Sequence, residues 1–414
     1  MPHYVRRHWP GVPGGFGRSA RSFEYDAFVP DPIADAAWTF SAPAVDAISQ
    51  AERALRDVQR SSELAGLESL SHQLLRTEAV ASSWIEGLQL SHRRLARALF
   101  DAASADGTAR AVVGNIEAME QAVRLGAEAR ALDTDDVLRI HRLLLERTPD
   151  AGIAGRLRDR QNWIGRDGSS PYHAEFIPPP EGDVPGLVAD LCAFMNRRDL
   201  PVIAQAAIAH AQFETIHPFA DGNGRVGRAL IHVVLRRGGV AEPFVPPLSV
   251  VLAANVRRYV DGLTGFREGR VSEWCELFGR SLRDAAVASE KLGGNLAALQ
   301  AEWRVAAGNP RRTSATQKLI QALGRRPIVD IRAAGELVGV SYPQARQAVL
   351  ALEAAGVLRP VVVGRRRNRA WEAPQVIALL DDFAIEAATP TRDGEPRRAS
   401  PARRTERASR MPPE

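Results

Sequence analysis

An Ala/Leu-rich helical periodicity runs from about residue 37 to 305 and is interrupted once, between Gly155 and Pro180; no other feature narrows the fold as far. Stretches such as Ala111 to Ala131 and Asp183 to Asn196 set apolar residues three and four apart, the spacing of a helix face buried against other helices. A chain of 414 residues carrying this pattern has enough core for two or three domains. The interruption reads differently. Asp167-Gly168-Ser169-Ser170-Pro171 divides two short apolar pieces, which predicts a hairpin or extended flap. The expected fold is therefore mainly α, a helical bundle with one β-hairpin flap.

The densest chemistry sits inside the helical region, at His217-Pro218-Phe219-Ala220-Asp221-Gly222-Asn223-Gly224-Arg225-Val226-Gly227-Arg228. Gly222 and Gly224 permit backbone conformations that turn amide N–H groups toward a ligand at close range. From Arg225 the apolar positions Val226, Ala229, Leu230, Val233 and Val234 follow helical spacing, so a helix N-terminus adjoins the glycine loop and forms an anion site. Arg225 and Arg228, three apart, share a helix face and suit phosphate oxygens. Asp221 suits Mg²⁺, which commonly takes one or two carboxylates together with substrate phosphates. His217 can take a proton from a hydroxyl near neutral pH. These are the parts needed to hold a nucleoside triphosphate and transfer a piece of it.

The segment resembles the core motif of the Fic family, His-Pro-Phe-x-Asp/Glu-Gly-Asn-Gly-Arg-x-x-Arg, with every fixed position present. The resemblance implies a protein adenylyltransferase that moves AMP from ATP to a Ser, Thr or Tyr hydroxyl. In it His217 is the base and Asp221 the Mg²⁺ ligand, while Gly222, Asn223, Gly224, Arg225, Val226, Gly227 and Arg228 form the ATP site. Phe219 is read as a core anchor of the loop. The family's adenine-side contacts are expected in Val251-Leu252-Ala253-Ala254-Asn255, which lacks an aromatic, with Tyr259 nearby as a substitute.

Two further matches lie outside the core. Ser82-Ser83-Trp84-Ile85-Glu86-Gly87 fits the family's inhibitory pattern, with Ser82 and Glu86 four apart on one helix face. The resemblance implies that Glu86 pairs with Arg228, and an arginine held by a carboxylate cannot also clamp a phosphate. The stretch Gly155-Arg156-Leu157-Arg158, Trp163-Ile164-Gly165, Ala174 and Pro178-Pro179-Pro180 matches the family's flap, which registers a target's extended backbone by strand addition. Trp163, Ile164 and Gly165 are its expected target-binding residues.

Five regions follow. Residues 1–36, rich in Gly, Pro and aromatics, read as an extended arm, 37–107 as a helical region carrying Glu86, and 108–305 as the catalytic body. Gly308-Asn309-Pro310 marks a linker. In 311–380, a short helix at Ile331 to Leu337, a turn at Gly339 and a second helix opened by Ser341-Tyr342-Pro343-Gln344 precede two β-rich pieces, Val357 to Val363 and Arg369 to Glu372. This order resembles a winged-helix domain, in which Arg346 and Gln347 face a groove and Arg365, Arg366 and Arg367 meet phosphates. A protein-interaction winged helix with a solvated basic loop fits the same residues, and a regulator that binds DNA with the helical body as its sensor is the second functional reading.

The net charge of +5 is concentrated in the last segment, Arg392 to Arg410 among Pro, Ser and Glu, so residues 381–414 read as a disordered tail. Cys192 and Cys275 offer neither a metal spacing nor a disulfide framework, and no apolar run reaches the length of a membrane span. A cytoplasmic location is the expectation. ATP and Mg²⁺ are the expected small-molecule partners. The expected macromolecular partners are a target protein with a hydroxyl side chain, which can be the chain itself, DNA or protein at the winged helix, and a second copy of the chain.

Overall fold

The computed structural model describes residues 2–11, 21–61, 67–165, 170–242, 244–363 and 369–387. The chain opens with an antiparallel pair, β1 (His3–Trp9) and β2 (Phe23–Val29), in register from His3 opposite Val29 to Trp9 opposite Phe23. The expected extended arm is thus a hairpin. Its alternation in residue exposure and its Tyr, Phe and Trp content suit a half-buried ribbon.

Helices then dominate: α1 (Ala42–Ser61), α2 (Leu67–Ile85), α3 (His92–Phe100), α4 (Gly107–Ala127) and α5 (Thr134–Leu145). The flap follows as β3 (Ile164–Gly165) and β4 (Ala174–Phe176), paired antiparallel. Beyond it come α6 (Val184–Met195), α7 (Val202–Ile216), α8 (Asn223–Arg237), α9 (Leu248–Ala254), α10 (Val256–Arg267) and the 36-residue α11 (Val271–Ala306). The helix α7 is buried around nearly its whole circumference, as a helix apolar on all sides must be, and it forms the centre of the bundle. Packed on it, α8 also meets α4, while α1 lies along α11.

The last unit runs α12 (Ala315–Leu323), β5 (Ile328–Val329), α13 (Ile331–Val338), α14 (Tyr342–Ala354), β6 (Arg359–Val362), β7 (Arg369–Glu372) and α15 (Pro374–Ala387), its three strands ordered β5-β7-β6. Gly339, in the left-handed region at φ 66°, ends α13, and the Ser341/Gln344 capping box starts α14. Arg346 and Gln347 are exposed on α14. The helix α15 continues to Ala387, past residue 380 where the folded unit was expected to end, because Val376, Ile377, Leu380 and Phe383 supply a buried face. Arg365, Arg366, Arg367, Asp167 to Ser169 and the expected tail from residue 388 lie outside the described residues.

This unit is tied to the helix that carries the inhibitory pattern. Gln73 and Arg76 of α2 donate to the backbone carbonyls of Gly324 (2.5 Å) and Arg325 (2.6 Å), and His92 Nδ1 lies 2.9 Å from Asp381 of α15. Among the described residues no helix is long and apolar enough to cross a membrane.

Candidate active site

The helix α7 ends at His217, whose backbone is left-handed (φ 48°, ψ 60°), a conformation that costs a residue with a Cβ about 1 kcal/mol or more. Its surroundings hold it there. Its N–H donates to Phe213 O (2.9 Å), and its carbonyl accepts from Arg158 Nε (2.9 Å). Arg158, buried with its guanidinium among carbonyls, also donates to Arg160 O (3.0 Å) and Pro179 O (2.5 Å), while its own backbone N–H reaches Pro218 O (2.9 Å). Desolvation with no neutralising carboxylate in contact lowers the Arg158 pKa to about 10. One buried side chain thus fastens the flap's entry and exit to the corner after α7.

Two more braces close the loop. Asn223 accepts from Phe219 N–H (2.8 Å) and returns its amide to Phe219 O (2.8 Å). His141 of α5 stacks on the Phe219 ring at 3.7 Å. Gly155 N–H donates to His141 Nδ1 (3.0 Å), so the ring proton is on Nε2 and is given to Asp221 O (3.0 Å). Burial lowers the His141 pKa to about 4, which keeps the ring neutral. Phe219 is fully buried, as expected of a loop anchor.

From this braced loop the helix α8 starts at Gly222 (φ 81°), and a cavity of about 610 Å³ opens over it. His217, Asp221, Gly222, Asn223, Gly224 and Arg228 line the cavity on one side, with Glu86 above them. Trp163, Ile164 and Gly165 of the flap line it on another, and Val256, Tyr259, Val260 and Leu263 of α10 supply an apolar wall. Tyr259 is therefore on the cavity, although its hydroxyl is turned to His210 Nε2 at 2.7 Å.

Not every residue of the motif faces this space. Val226 is completely buried in the core, and Gly227 lies against Glu214, Phe213 and His210 of α7. Neither lines the cavity with a side chain, because helical spacing turns them away from Gly224 and Arg228. Arg225 is 5% exposed and gives Nη2 to Asp221 Oδ2 at 3.0 Å. Asp221 is 55% exposed and is the motif's carboxylate on the cavity. Among the described residues no group of three or more His, Cys, Asp or Glu gathers to hold a metal. A cation here would need phosphate oxygens beside Asp221, which is the way Mg²⁺ is commonly held with nucleotides.

Arg228 is 1% exposed. Its Nε donates to Ser82 Oγ (2.9 Å), and its Nη2 donates to Ser82 O (2.8 Å) and to Glu86 Oε1 (2.7 Å). Burial opposes its charge, yet the Glu86 carboxylate offsets this, so the proton affinity is raised overall. Glu86 reaches this place because α2 stops there: Leu88 N–H donates to Ser83 O and Gly87 N–H to Trp84 O, with Gly87 at φ 81°. The carboxylate lies so close over Gly224 that any Cβ at residue 224 would collide with it.

Four groups near the cavity escape a motif-based reading, His141 in the braces, Asn162 beside His217, Glu214 and Arg267, while Arg158 is matched in the flap without its bracing role. Glu214 is buried, lines the cavity, and has Oε1 without a hydrogen-bond partner. Desolvation raises its pKa to about 7, with Arg228 acting against the shift and Glu86 with it. A lone carboxylate inside the apolar run of α7 was the signal that could have found it. Arg267 sits 4.0 Å over the Phe176 ring, and burial lowers its pKa. For His217, desolvation and the Arg158 and Arg267 charges lower the proton affinity, with Asp221 opposing, and the half-buried ring is neutral at pH 7.

The structure thus defines a helical bundle in which a glycine loop, a helix N-terminus and a flap enclose a cavity lined by both carboxylates and arginines. Residues 131–235 match the Fic/DOC family model and residues 45–124 the Fic/DOC family N-terminal model, so the chain carries a Fic/DOC domain with the family's N-terminal region before it. It is similar to a "Probable protein adenylyltransferase" of Aquifex aeolicus, with 35% identity over 101 residues, which are 24% of this chain and 29% of that protein. A second relative, protein adenylyltransferase fic-1 of Caenorhabditis elegans, is 32% identical over 122 residues, 30% of this chain and 23% of its own length. The chain spans less than a third of each of these relatives. The crystal structure of a Fic family protein from Desulfovibrio desulfuricans G20 has the same fold, with a TM-score of 0.52 at 21% identity, covering 81% of this chain and 97% of that one.

Proposed function

We propose that this chain is a Mg²⁺-dependent protein adenylyltransferase that transfers AMP from ATP to a hydroxyl side chain of a protein and is restrained by Glu86. The observation that carries the reading is the Arg228–Glu86 pair at 2.7 Å over Gly224, beside His217 and Asp221 on one cavity. Arg228 and the amides at the start of α8 are the groups suited to phosphates, and the pair occupies that arginine with a carboxylate.

In the proposed reaction the target hydroxyl oxygen forms a bond to the α-phosphorus of ATP, the bond from that phosphorus to the bridging oxygen breaks, and pyrophosphate leaves. The hydroxyl proton goes to the His217 imidazole. Trp163, Ile164 and Gly165 border the cavity where a target's extended segment would lie, and strand addition to β3 or β4 is the mode of docking we assign to them. Asp221 is the residue we assign to Mg²⁺, which would supply charge neutralisation to the phosphate oxygens when bound. The names of the relatives support ATP as the donor.

Incubating the protein with α-labelled ATP and Mg²⁺ tests this reading. The Glu86→Gly variant should label itself or an added target strongly, the wild type weakly, and the Glu86→Gly/His217→Ala double variant about 10²–10⁴-fold less than Glu86→Gly. Equal labelling of the wild type and Glu86→Gly would remove the restraint from the proposal, and no labelling in any variant would remove the activity.

A second reading concerns the last unit. The helix–strand–helix–helix–hairpin order and the exposed Arg346 and Gln347 on α14 favour a winged helix that binds duplex DNA. Binding that vanishes with salt in wild type and weakens in Arg346→Ala would support it, whereas no binding at low salt would favour a protein partner.

A further inference from the structure

Asn162 lies two residues before β3 and faces the loop after α7. Its Nδ2 is 3.0 Å from Phe219 O, 3.4 Å from His217 O and 3.1 Å from His217 Nδ1, while its Oδ1 is buried and has no hydrogen-bond partner. The two ends of an asparagine amide have nearly the same shape, so the surrounding network must decide which is which. Exchanging them would set one acceptor 3.0 Å from another at Phe219 O, so the nitrogen faces the loop. An amide nitrogen donates and does not accept. At 3.1 Å it therefore gives a hydrogen to His217 Nδ1, which carries no proton of its own. A neutral imidazole has one ring proton, and here that proton is on Nε2.

This creates a tension with the proposed reaction, on which the inference rests. A ring that already carries its proton on Nε2 has no lone pair there to receive one from a target hydroxyl. We propose that Asn162 sets the tautomer of His217, holding the resting ring in its Nε2–H form, and that the ring becomes a base toward the cavity only when this amide turns over. After the turn, Oδ1 accepts from Nδ1–H, and the ring proton has moved from Nε2 to Nδ1 with no net change in proton count. The turn has a cost, because it brings Oδ1 to the place of Nδ2, 3.0 Å from Phe219 O; that cost holds the resting ring in its Nε2–H form, and part of it is offset. Phe219 O keeps its second donor, Asn223 Nδ2 at 2.8 Å, and the buried Oδ1 that now lacks a partner gains one. Because Asn162 adjoins β3, a target strand seated on the flap pulls on the same segment. Asn162 is thus a positioning residue, acting on the reaction through His217.

The test reads the tautomer directly, with no nucleotide and no target. Long-range proton–nitrogen correlation spectra of the full chain carrying ¹⁵N-histidine, with His217→Ala to assign the signals, distinguish a protonated from an accepting ring nitrogen. At neutral pH the wild type should show His217 as Nε2–H alone. Asn162→Asp, which offers only acceptors, should bring up the Nδ1–H or doubly protonated ring, and Asn162→Ala should raise Nδ1–H from undetectable to a measurable fraction. A wild-type ring protonated on Nδ1 overturns the inference, as does a His217 signal that neither substitution moves. Where the Asp variant does not fold, the Ala variant decides. A chain with the expected tautomer but no transfer of AMP would refute the proposed function and leave the assignment of Asn162 standing.

Discussion

The loop from His217 to Gly224 and the helix end from Ser82 to Gly87 meet over the same cavity, yet they are held in different ways. The loop is fastened by side chains from two separate segments, Arg158 and His141, and by its own Asn223, each buried and each hydrogen-bonded to loop backbone. The helix end reaches the site through Arg228 alone among the described hydrogen bonds, and its Glu86 side chain is 37% exposed. The loop's braces are all buried, whereas at the helix end Ser82 and Ser83 are held by buried bonds to Arg228 and Asn115 and only the Glu86 carboxylate rests on a partly solvated ion pair.

The largest effect should come from breaking the Arg228–Glu86 pair from either side. Glu86→Gly frees Arg228 for phosphate and removes a negative charge from its position, so AMP transfer should rise. Arg228→Ala breaks the same pair but also deletes the proposed clamp, and a reacting group misplaced by about 1 Å can cost on the order of 10²-fold in rate. The double variant should therefore be as slow as Arg228→Ala. Initial rates of label incorporation across ATP concentrations check this. A double variant as fast as Glu86→Gly would show that Arg228 only anchors the end of α2.

On the other side of the comparison, Arg158→Ala should lower stability by about 2–4 kcal/mol, read from urea unfolding. The carbonyls of His217, Arg160 and Pro179 each lose a donor, at roughly 1–3 kcal/mol for one left buried and unpaired, although His217 O and Pro179 O keep 3.4 Å contacts from Asn162 and Gln161. Relief of the arginine's own desolvation offsets part of that sum. Glu86→Gln should cost clearly less, since more than a third of the Glu86 side chain is exposed and Arg228 keeps both of its bonds to Ser82. Equal costs would mean that the two regions do not differ in kind.

This difference also explains what the sequence could and could not disclose. The glycine loop, the α8 start and the Ser82/Glu86 face were legible because local rules define them: helical spacing, positive-φ glycines, and a motif in consecutive residues. The short helix, turn and capping box at Ile331 to Gln344 were legible for the same reason. The braces were not, since Arg158, Asn162 and His141 act across 55 to 80 residues of chain, and a lone histidine on an amphipathic helix has no local sign of what it stacks on. Composition alone gave the aromatic N-terminal segment no strand signal strong enough to outweigh its glycines. In the structure Phe28 and Trp9 pack on Phe176 and Trp163, and the β1–β2 hairpin lies against the flap. For Val226 and Gly227, membership in the motif was read as contact with the ligand, whereas helix geometry turns them into the core.

Glu214 sharpens the comparison, because α7 carries it where the charges of both Arg228 and Glu86 act on it. Its folded pKa of about 7 stands above the ordinary 4.5, so between those values the unfolded chain releases a proton that the folded chain keeps. Stability from this group is therefore fully present below about pH 4.5, falls as pH rises toward 7, and is level above it. His141 acts with the opposite sign, since its pKa is lowered from 6.5 to about 4, and its contribution grows with pH over that window. The two slopes oppose each other in wild type. Glu214→Gln removes only the first, so unfolding midpoints measured from pH 4 to 8 should rise more steeply with pH in the variant. Parallel profiles would show that Glu214 is ionised in the folded chain.

The smallest expected effect tests how the helix end from Ser82 to Gly87 is shaped. Gly87 has φ 81° and nothing within 4 Å of the place where a Cβ would stand, so Gly87→Ala introduces backbone strain without a collision. The strain amounts to about 1 kcal/mol, the usual cost of a left-handed conformation with a Cβ, against a fold whose braced loop is untouched. The chain can relieve it by loosening the bonds from Leu88 N–H to Ser83 O and from Gly87 N–H to Trp84 O, which carries Glu86 away from Arg228. Gly87→Ala should therefore lower global stability by no more than about 1 kcal/mol while raising AMP transfer part of the way toward Glu86→Gly. Gly87→Asn, a residue that tolerates this conformation better, should lie closer to wild type in both measurements. A stability loss in Gly87→Ala without any gain in transfer would mean that the turn holds the helix but does not aim its carboxylate.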